Sequence, residues 1–296
     1  MGWVRGIAMV IGAGFAAVVA WSLLWTVIGL AGDPSPKIWT GAPKTVETEF
    51  HIEHPRSAGL SSAGVFGKFD QRQLQRGFQV YKEVCSACHS LKFVAFRDLK
   101  QIGYNDGQVK TLAASFETIP SINPETGEPA TRKGVPADRF PLVYANDVAA
   151  RAANNNAIPP DLSYMTRARH GGADYVYSLL TGYRDQATYK NEAGESLLKE
   201  FPDATTPKGL HFNPYFANLN IAMPPPLKTE GQVKYTDGTR PTVDQMAKDV
   251  AAFLVWTADP TMETRHGAGF AAVLFLLIAS ILAFLAYRNV WRDVKH

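Results

Sequence analysis

Two long apolar runs stand at opposite ends of the chain. The run from Gly267 to Tyr287 is 21 residues long and carries no charge. At a rise of ~1.5 Å per residue, a helix of this length spans about 30 Å, the thickness of a bilayer's hydrocarbon core. Arg288 and two further basic residues follow it. Because positive flanks stay cytoplasmic, residues 265–288 are predicted to form a transmembrane anchor, with 289–296 as a cytoplasmic tail.

The N-terminal run, from Gly6 to Gly32, is also uncharged and lies between Arg5 and Asp33. It is either a cleaved signal peptide or a retained anchor. Small residues at 29–32 suit a signal peptidase, but the 27-residue length exceeds the ~7–15 residues of a signal peptide's apolar region. The length favours a retained transmembrane helix within residues 1–32. In both cases the basic end stays inside and the central region is exported.

The first helix between the two runs is predicted from spacing. Leu74, Phe78 and Tyr81 recur at helical intervals. Asp70 precedes them and forms a capping-box pattern with Gln73, three residues later. This pattern predicts an amphipathic helix that starts near residue 70.

A second amphipathic helix ends the central region. Thr242 and Gln245 repeat the capping-box pattern, and one apolar face then continues to Trp256. A short helix ended by glycine is predicted at residues 174–182.

Long irregular segments connect these helices. Prolines and glycines interrupt residues 120–141 and 201–241, which are predicted to be loops, and residues 33–65 are predicted to be an extended linker. No segment alternates as a strand would. The central region is therefore predicted to be mainly α, with long loops that need a large flat cofactor to pack on.

Composition narrows the function. With 46% hydrophobic and 19% charged residues, the chain can bury a core and is not disordered. A net charge of +3 without basic runs argues against nucleic acid as a partner. The only two cysteines are three positions apart in a region predicted to enter an oxidising compartment. That spacing suits a cofactor better than a structural disulfide.

The segment CSACH, from Cys85 to His89, is a C-x-x-C-H haem attachment signature. The thiols of Cys85 and Cys88 can add to the two vinyl groups of one porphyrin, and His89 then lies beneath the iron as an axial ligand. A zinc site would need two further Cys or His at a paired spacing, and a thioredoxin-type pair does not need the histidine. The sequence therefore predicts one covalently bound haem c.

The sixth iron ligand must come from a distant segment. Met223 stands before three prolines, in a stiff segment that suits a ligand held at a fixed distance. A packing role for this methionine is equally compatible with the spacing. His170 and His211 are the alternatives, whereas Met246 lies on the face of a predicted helix.

Four segments carry a family resemblance: QLQRGFQVYKEVCSACHSLKFVAFRDL (73–99), ARAANNNAIPPDLSYMTRARHGGADYVYSLLTGY (150–183), FNPYFANLNIAMPPPL (212–227) and DVAAFLVWTADP (249–260). They resemble the bacterial members of the cytochrome c1 family, the c-type haem subunit of the cytochrome bc1 complex. The resemblance runs from about Phe66 to the C-terminus. It implies a class I cytochrome c-like haem domain over residues 66–264.

The resemblance also implies roles for single residues. Met223 becomes the sixth ligand, and the Pro160 carbonyl accepts the Nδ1 hydrogen of His89. Three further residues are implied in the haem pocket, with Arg169 on a propionate: Asn154, Arg169 and Tyr175. Gly77 is implied to let the first and last helices cross closely.

Two departures stand out. His211 occupies a position where the family commonly has an aromatic residue, and residues 58–65 lack the aromatic residues usual there.

The function implied by the resemblance is one-electron transfer. A Rieske iron–sulfur protein, supplied with electrons at cytochrome b, reduces this haem, which reduces a soluble or membrane-tethered cytochrome c. The implied setting is a dimeric complex in the bacterial inner membrane, with the haem domain in the periplasm. The chain alone is non-catalytic and is a redox subunit of the quinol–cytochrome c reductase. The alternatives are a haem subunit of a terminal oxidase, or a haem sensor or peroxidase with an open sixth site.

Overall fold

A computed structural model describes residues 2–30 and 44–293, and this part of the chain is mainly helical, as predicted. The helices are α1 (Gly2–Leu30), α2 (Val46–Phe50), α3 (Gln71–Glu83), α4 (Asp106–Ala114), α5 (Asp147–Ala153), α6 (Met165–Ala168), α7 (Gly172–Thr181), α8 (Leu197–Glu200), α9 (Val243–Ala258) and α10 (Met262–Trp291). Short 3-10 turns lie at Cys85–Ala87, Phe96–Ile102 and Gln186–Thr188. The chain divides into two compact units, Met1–Thr45 and Val46–His296.

Helices α3 and α9 cross closely at the centre of the second unit. A Cβ atom added to Gly77 would lie 2.0 Å from the carbonyl oxygen of Asp249 and 2.7 Å from Cβ of Phe253. Only glycine allows this approach, because real Cβ atoms do not come so near to backbone. The implied close crossing at Gly77 is therefore confirmed.

An aromatic core surrounds this crossing. The rings of Phe78 and Phe253 have centroids 5.6 Å apart, and Phe253 stacks on Trp256 at 5.6 Å. Phe140 enters from a loop and packs on Phe96 at 4.5 Å and on Tyr81 at 5.8 Å. Such pairs add to the free energy gained by burying apolar area. The core thus includes side chains from both predicted helices and from loops that lie between them in the sequence.

The starts of α3 and α9 are confirmed, but neither glutamine completes a capping box. Asp70 accepts a hydrogen bond from the backbone N–H of Gln73 at 3.3 Å, and Thr242 accepts one from Gln245 at 3.0 Å. Both glutamine side chains instead donate to the carboxylate of Asp249, at 3.2 and 2.8 Å. The prediction of a reciprocal box was wrong because a fully buried carboxylate needs these donors more than the helix ends do.

Asp249 also forms an ion pair between the two helices. Its side chain is 0% exposed, and Arg76 donates to both carboxylate oxygens, at 2.9 and 3.1 Å. The same guanidinium reaches Asp237 at 2.7 Å. The polar network therefore locks α3 onto α9 at the point where Gly77 brings them together.

Two small antiparallel sheets interrupt regions predicted to be loops. Strands β1 (Ile119–Ile122) and β2 (Pro129–Arg132) form a hairpin, and β3 (His211–Phe212) pairs with β4 (Asn220–Ile221). The prediction of no strands was wrong. Strands β1 and β2 have four residues each and are mostly exposed, and β3 and β4 have only two residues each, so none of them is long enough or regular enough to show an alternation of buried and exposed positions.

Residues 46–60 differ from the extended linker predicted over 33–65. Phe50 of α2 is buried in a second apolar cluster with Leu197, Phe212 and Leu219. The backbone N–H of Ala58 donates to the carboxylate of Asp174 on α7 at 2.7 Å. Side chains from distant segments create this packing, so no local pattern reveals it. Residues 33–43 lie outside the described part of the chain.

Helix α10 covers the predicted C-terminal anchor and extends beyond it at both ends. Among the described residues it is the one helix long and apolar enough to cross a membrane, and its apolar window is not buried within the protein. The predicted N-terminal span, 1–32, lies partly outside the described residues. Residues 2–30 form α1, whose described side chains at 12–25 are exposed.

Candidate functional site

The candidate site begins where α3 ends. Glu83 is the last residue of α3, and the chain then turns through a 3-10 helix at Cys85–Ala87. The backbone N–H of His89 returns to the carbonyl of Cys85 at 2.9 Å, and the hydroxyl of Tyr81 donates to the carbonyl of His89 at 3.0 Å. The core helix thus fixes the backbone of the whole signature.

The two cysteines lie on one short turn and are not joined by a disulfide. Cys85 is half-buried against the core, whereas Cys88 is exposed. Burial, together with the neighbouring Cys88, raises the pKa of the Cys85 thiol to about 12. Neither thiol is bonded to another group of the protein, so both are available for covalent attachment to a cofactor.

His89 is oriented by a segment 71 residues further along the chain. Its Nδ1 donates to the carbonyl of Pro160 at 2.7 Å. Burial lowers the pKa of His89, although this hydrogen bond and nearby Asp161 oppose the shift. A neutral ring whose Nδ1 carries the proton leaves Nε2 with a free lone pair, the form that binds a metal.

Asp161 fastens the Pro160 segment to the signature. Its carboxylate accepts hydrogen bonds from the hydroxyl of Ser90 at 3.0 Å and from the backbone N–H groups of Lys92 at 2.8 Å and Ser163 at 3.0 Å. Sequence reasoning missed this residue. The adjacent proline was a signal, because a carboxylate next to a positioning carbonyl can bridge two backbone segments.

Met223 follows the short β3–β4 sheet. His211 in β3 pairs with Ile221 in β4, two residues before the methionine. The hydroxyl of Tyr183, just beyond α7, donates to the carbonyl of Met223 at 3.0 Å. Tyr183 was not recognised in the sequence, and only its place after the glycine that ends α7 distinguishes it. A sheet and a tyrosine thus hold the segment before the prolines.

The other methionines of the second unit are packing residues. Met165, Met246 and Met262 are 9%, 0% and 5% exposed, whereas Met223 is half-buried. The packing role predicted for Met246 is confirmed. The contrast leaves Met223 as the methionine of this unit whose side chain is still partly accessible.

Two arginines at the end of α6, one in its last turn and one directly after it, differ in their partners. Arg167 pairs with Asp259 at 2.6 Å, and Arg265 pairs with the same carboxylate at 2.7 Å. The exposed Arg169 donates to the carbonyl of Ala168 at 3.3 Å, and no carboxylate of the described residues lies within ion-pair distance of it. Its guanidinium also hydrogen-bonds with the side chain of Tyr175 and still has further donors for an anionic group.

Tyr175 and Asn154 have different surroundings. Burial raises the pKa of Tyr175, and the nearby charge of Arg169 opposes that shift. The amide of Asn154 donates to the carbonyl of Ala150 at 2.7 Å and accepts from the hydroxyl of Tyr144 at 3.3 Å. Asn154 therefore holds the end of α5, and its polar atoms are engaged within the protein.

These donors fit a haem c group. Two unpaired thiols lie on one turn, and the adjacent imidazole has one nitrogen bound to a carbonyl and the other available. A partly accessible thioether lies on a braced segment elsewhere. This set supplies two attachment points and both kinds of axial ligand used by cytochromes c.

The family model described as the cytochrome c1 family matches residues 60–294. The chain belongs to the cytochrome c1 family. As a member it carries one covalently bound haem c, so the cofactor predicted from the signature is confirmed. Its family acts in electron transport, and the apolar helix α10 agrees with a membrane-anchored protein.

Several curated relatives are similar over most of the chain. Cytochrome c1 of Rhodospirillum rubrum is 44% identical over 79% of this chain and 86% of its own length. A mitochondrial cytochrome c1 haem protein of Solanum tuberosum is 43% identical over 84% of this chain and 89% of its own. A protein named cytochrome b/c1, from Bradyrhizobium diazoefficiens, is 42% identical over 81% of this chain and 36% of its own length.

Proposed function

We propose that this chain is the haem-bearing, one-electron carrier subunit of a cytochrome bc1 complex. It accepts electrons from a Rieske iron–sulfur protein and passes them to a soluble or membrane-tethered cytochrome c. The relative named cytochrome b/c1 and the Candida albicans relative named as a cytochrome b-c1 complex catalytic subunit support this setting. The partners of the chain are then cytochrome b, the Rieske protein, a cytochrome c and a second copy of the complex.

The observation that carries the proposal is the hydrogen bond from His89 to Pro160. It holds the imidazole next to Cys85 and Cys88 with Nε2 available. We assign the two cysteines to the thioether links and His89 and Met223 to the axial positions. The haem, when bound, supplies a one-electron iron couple whose potential its axial ligands tune.

The remaining residues of the site orient the axial histidine and surround the haem. Pro160 fixes the plane of the His89 ring, and Asp161 keeps the Pro160 segment in place. Arg169 offers its guanidinium to a propionate, where a bidentate bond to carboxylate is strong. Tyr175 lies beside Arg169 and lines the pocket, and Asn154 fixes the backbone at the end of α5. None of them needs to move a proton, since electron transfer requires no general acid or base.

The proposed topology follows from charge. By the positive-inside rule, Arg288 and Arg292 favour a cytoplasmic location for the C-terminal end of α10, and residues 66–264 are accordingly proposed to be a periplasmic haem domain. Residues 1–32 are proposed to be a retained second span, joined to the second unit by the part of the predicted linker that precedes residue 46, since residues 46–60 pack within that unit. Intact mass of the membrane-purified protein tests retention, and a mature chain starting near Gly32 would exclude it.

The function is tested on the complex purified from membranes in mild detergent. Acid–acetone should leave the haem on the protein, and the reduced spectrum should be low-spin and unchanged by carbon monoxide. A quinol should reduce the haem, and removal of the Rieske protein should abolish that reduction. A spectrum that changes with carbon monoxide would indicate an open sixth site and a sensor or peroxidase. Co-purification with a terminal oxidase would exclude the bc1 assignment.

A further inference from the structure

A loop at residues 61–68 carries two apolar side chains that face away from the core. Val65 is 73% exposed and Phe66 is 80% exposed. Lys68, two residues after Phe66, is also exposed. Large apolar side chains at such exposure indicate a contact surface when they lie together on an ordered element.

The loop is closed by its own backbone. The N–H of Lys68 donates to the carbonyl of Ser61 at 2.9 Å, and the N–H of Gly67 donates to that of Gly64 at 3.2 Å. A Cβ atom on Gly67 would lie 2.2 Å from the carbonyl oxygen of Ser62, so the tight return requires glycine. Val65 and Phe66 are therefore at the tip of a fixed turn.

The tip of this loop contacts the first part of α10. The ring of Phe66 lies 6.2 Å from that of Phe270 in α10, centroid to centroid, in an edge-on arrangement. At the other end of the loop, the N–H of Phe69 donates to the carboxylate of Glu263 in the first turn of α10 at 2.6 Å. Phe270 is the fourth residue of the uncharged run from Gly267, about 5 Å along the helix axis. Phe66 is thus level with the first turn of the apolar run.

We propose that the loop at residues 61–68 is a lipid-contacting element that inserts Val65 and Phe66 into the bilayer interface beside α10. The proposal rests on α10 crossing a bilayer. Apolar side chains of interfacial elements are buried about 5–10 Å into the boundary between headgroups and acyl chains, which matches the level of Phe66 about 5 Å along the apolar run. Aromatic rings favour this zone, and Lys68 can keep its ammonium among the phosphates while its stem stays apolar.

Size favours lipid over a neighbouring subunit. A subunit that bound to this loop alone would need to bury about 800 Å² per partner, far more than the tip of one turn provides. Contact with lipid has no such minimum, because the bilayer already surrounds α10. The loop would fix the tilt and height of the haem domain above the membrane through a second point of contact.

The test places a nitroxide spin label at residue 66 through Phe66→Cys. Cys85 and Cys88 are used by the haem, so the new thiol is the one reactive cysteine of the holoprotein. The membrane-purified assembly is labelled and placed in nanodiscs of phosphatidylcholine and phosphatidylglycerol, with unsubstituted protein as the background. Collision of the label with oxygen and with a water-soluble nickel chelate is then measured. Ile122→Cys, on the β1–β2 hairpin and 68% exposed, is the solvent control, and Leu277→Cys, in α10, is the lipid control.

The expected result is high accessibility to oxygen and low accessibility to nickel at residue 66, as at Leu277 and unlike Ile122. High nickel accessibility would show that the loop lies in water and would overturn the proposal. Low accessibility to both reagents with an immobilised spectrum would show that a protein subunit covers the tip, and would also overturn it. Val65→Cys provides a second site should the first variant fold poorly. The haem spectrum of the same sample reports on the proposed function separately.

Discussion

Replacing Gly77 by alanine should destabilise the haem domain strongly. The new Cβ would stand 2.0 Å from the carbonyl oxygen of Asp249, whereas ordinary contacts begin at 3.4 Å. The obstacle is backbone, so α3 and α9 must separate by more than 1 Å. Overpacking of a core costs about 1–3 kcal/mol, occasionally more, and the helix preference of alanine returns less than 1 kcal/mol. Separation also weakens the bond between Arg76 and Asp249, so we expect a net loss of about 3 kcal/mol.

This loss corresponds to a fall in Tm of about 6–12 °C, since 1 kcal/mol shifts Tm by about 2–4 °C in a domain of this size. Far-UV circular dichroism of the membrane-purified holoprotein measures it. Gly107→Ala in α4 is the matched control, because its Cβ would meet nothing closer than the Asn105 side chain at 3.4 Å. The control should be neutral or slightly stabilising. Equal Tm values for the two variants would refute the argument from close approach.

Three further variants test the site and its support. Met223→Leu should keep the covalent haem, lower its potential and open the iron to carbon monoxide, because a thioether favours reduced iron more than imidazole does; an unchanged low-spin spectrum would point to a histidine ligand. Arg169→Lys should shift the potential in redox titration, whereas Arg167→Lys should have little effect; equal shifts would contradict the propionate assignment. Asp249→Ala should cost about 3 kcal/mol in urea unfolding, because it removes the buried acceptor of Arg76, Gln73 and Gln245 and leaves Arg76 only its bond to Asp237; a loss below 1 kcal/mol would show that the buried pair is dispensable.

The features predicted from the sequence are those set by neighbouring residues. The starts of α3 and α9 follow from Asp70 and Thr242, and the haem signature is a run of five residues. The end of α7 was also correct, since Gly182 directly follows its last residue. In each case the cause lies within one or two helical turns of the effect, so a linear pattern is sufficient.

Most of the features that were missed depend on distant residues. The Gln73 side chain of α3 turns towards Asp249, which is 176 positions away. The packing of Phe50 depends on a cluster formed by residues 197–219. Asp161 acts on Ser90 and Lys92 across about 70 positions. A single sequence shows that these residues are polar or apolar, but not which of them meet.

The pairing of α3 with α9 also has a consequence for the order of folding. Arg76 and Asp249 are 173 positions apart, so their contact closes a loop that contains almost the whole haem domain. The loss of chain entropy on closing such a loop costs about 4.6 kcal/mol of free energy in addition to a constant, because the cost grows with the logarithm of loop length. The core therefore stays incomplete until the last residue of α9, Ala258, has been synthesised. The haem-binding turn at Cys85–Ala87 is synthesised well before that point. Because α10 begins at Met262, the last step of domain folding and the insertion of the anchor involve adjoining residues and come at nearly the same time.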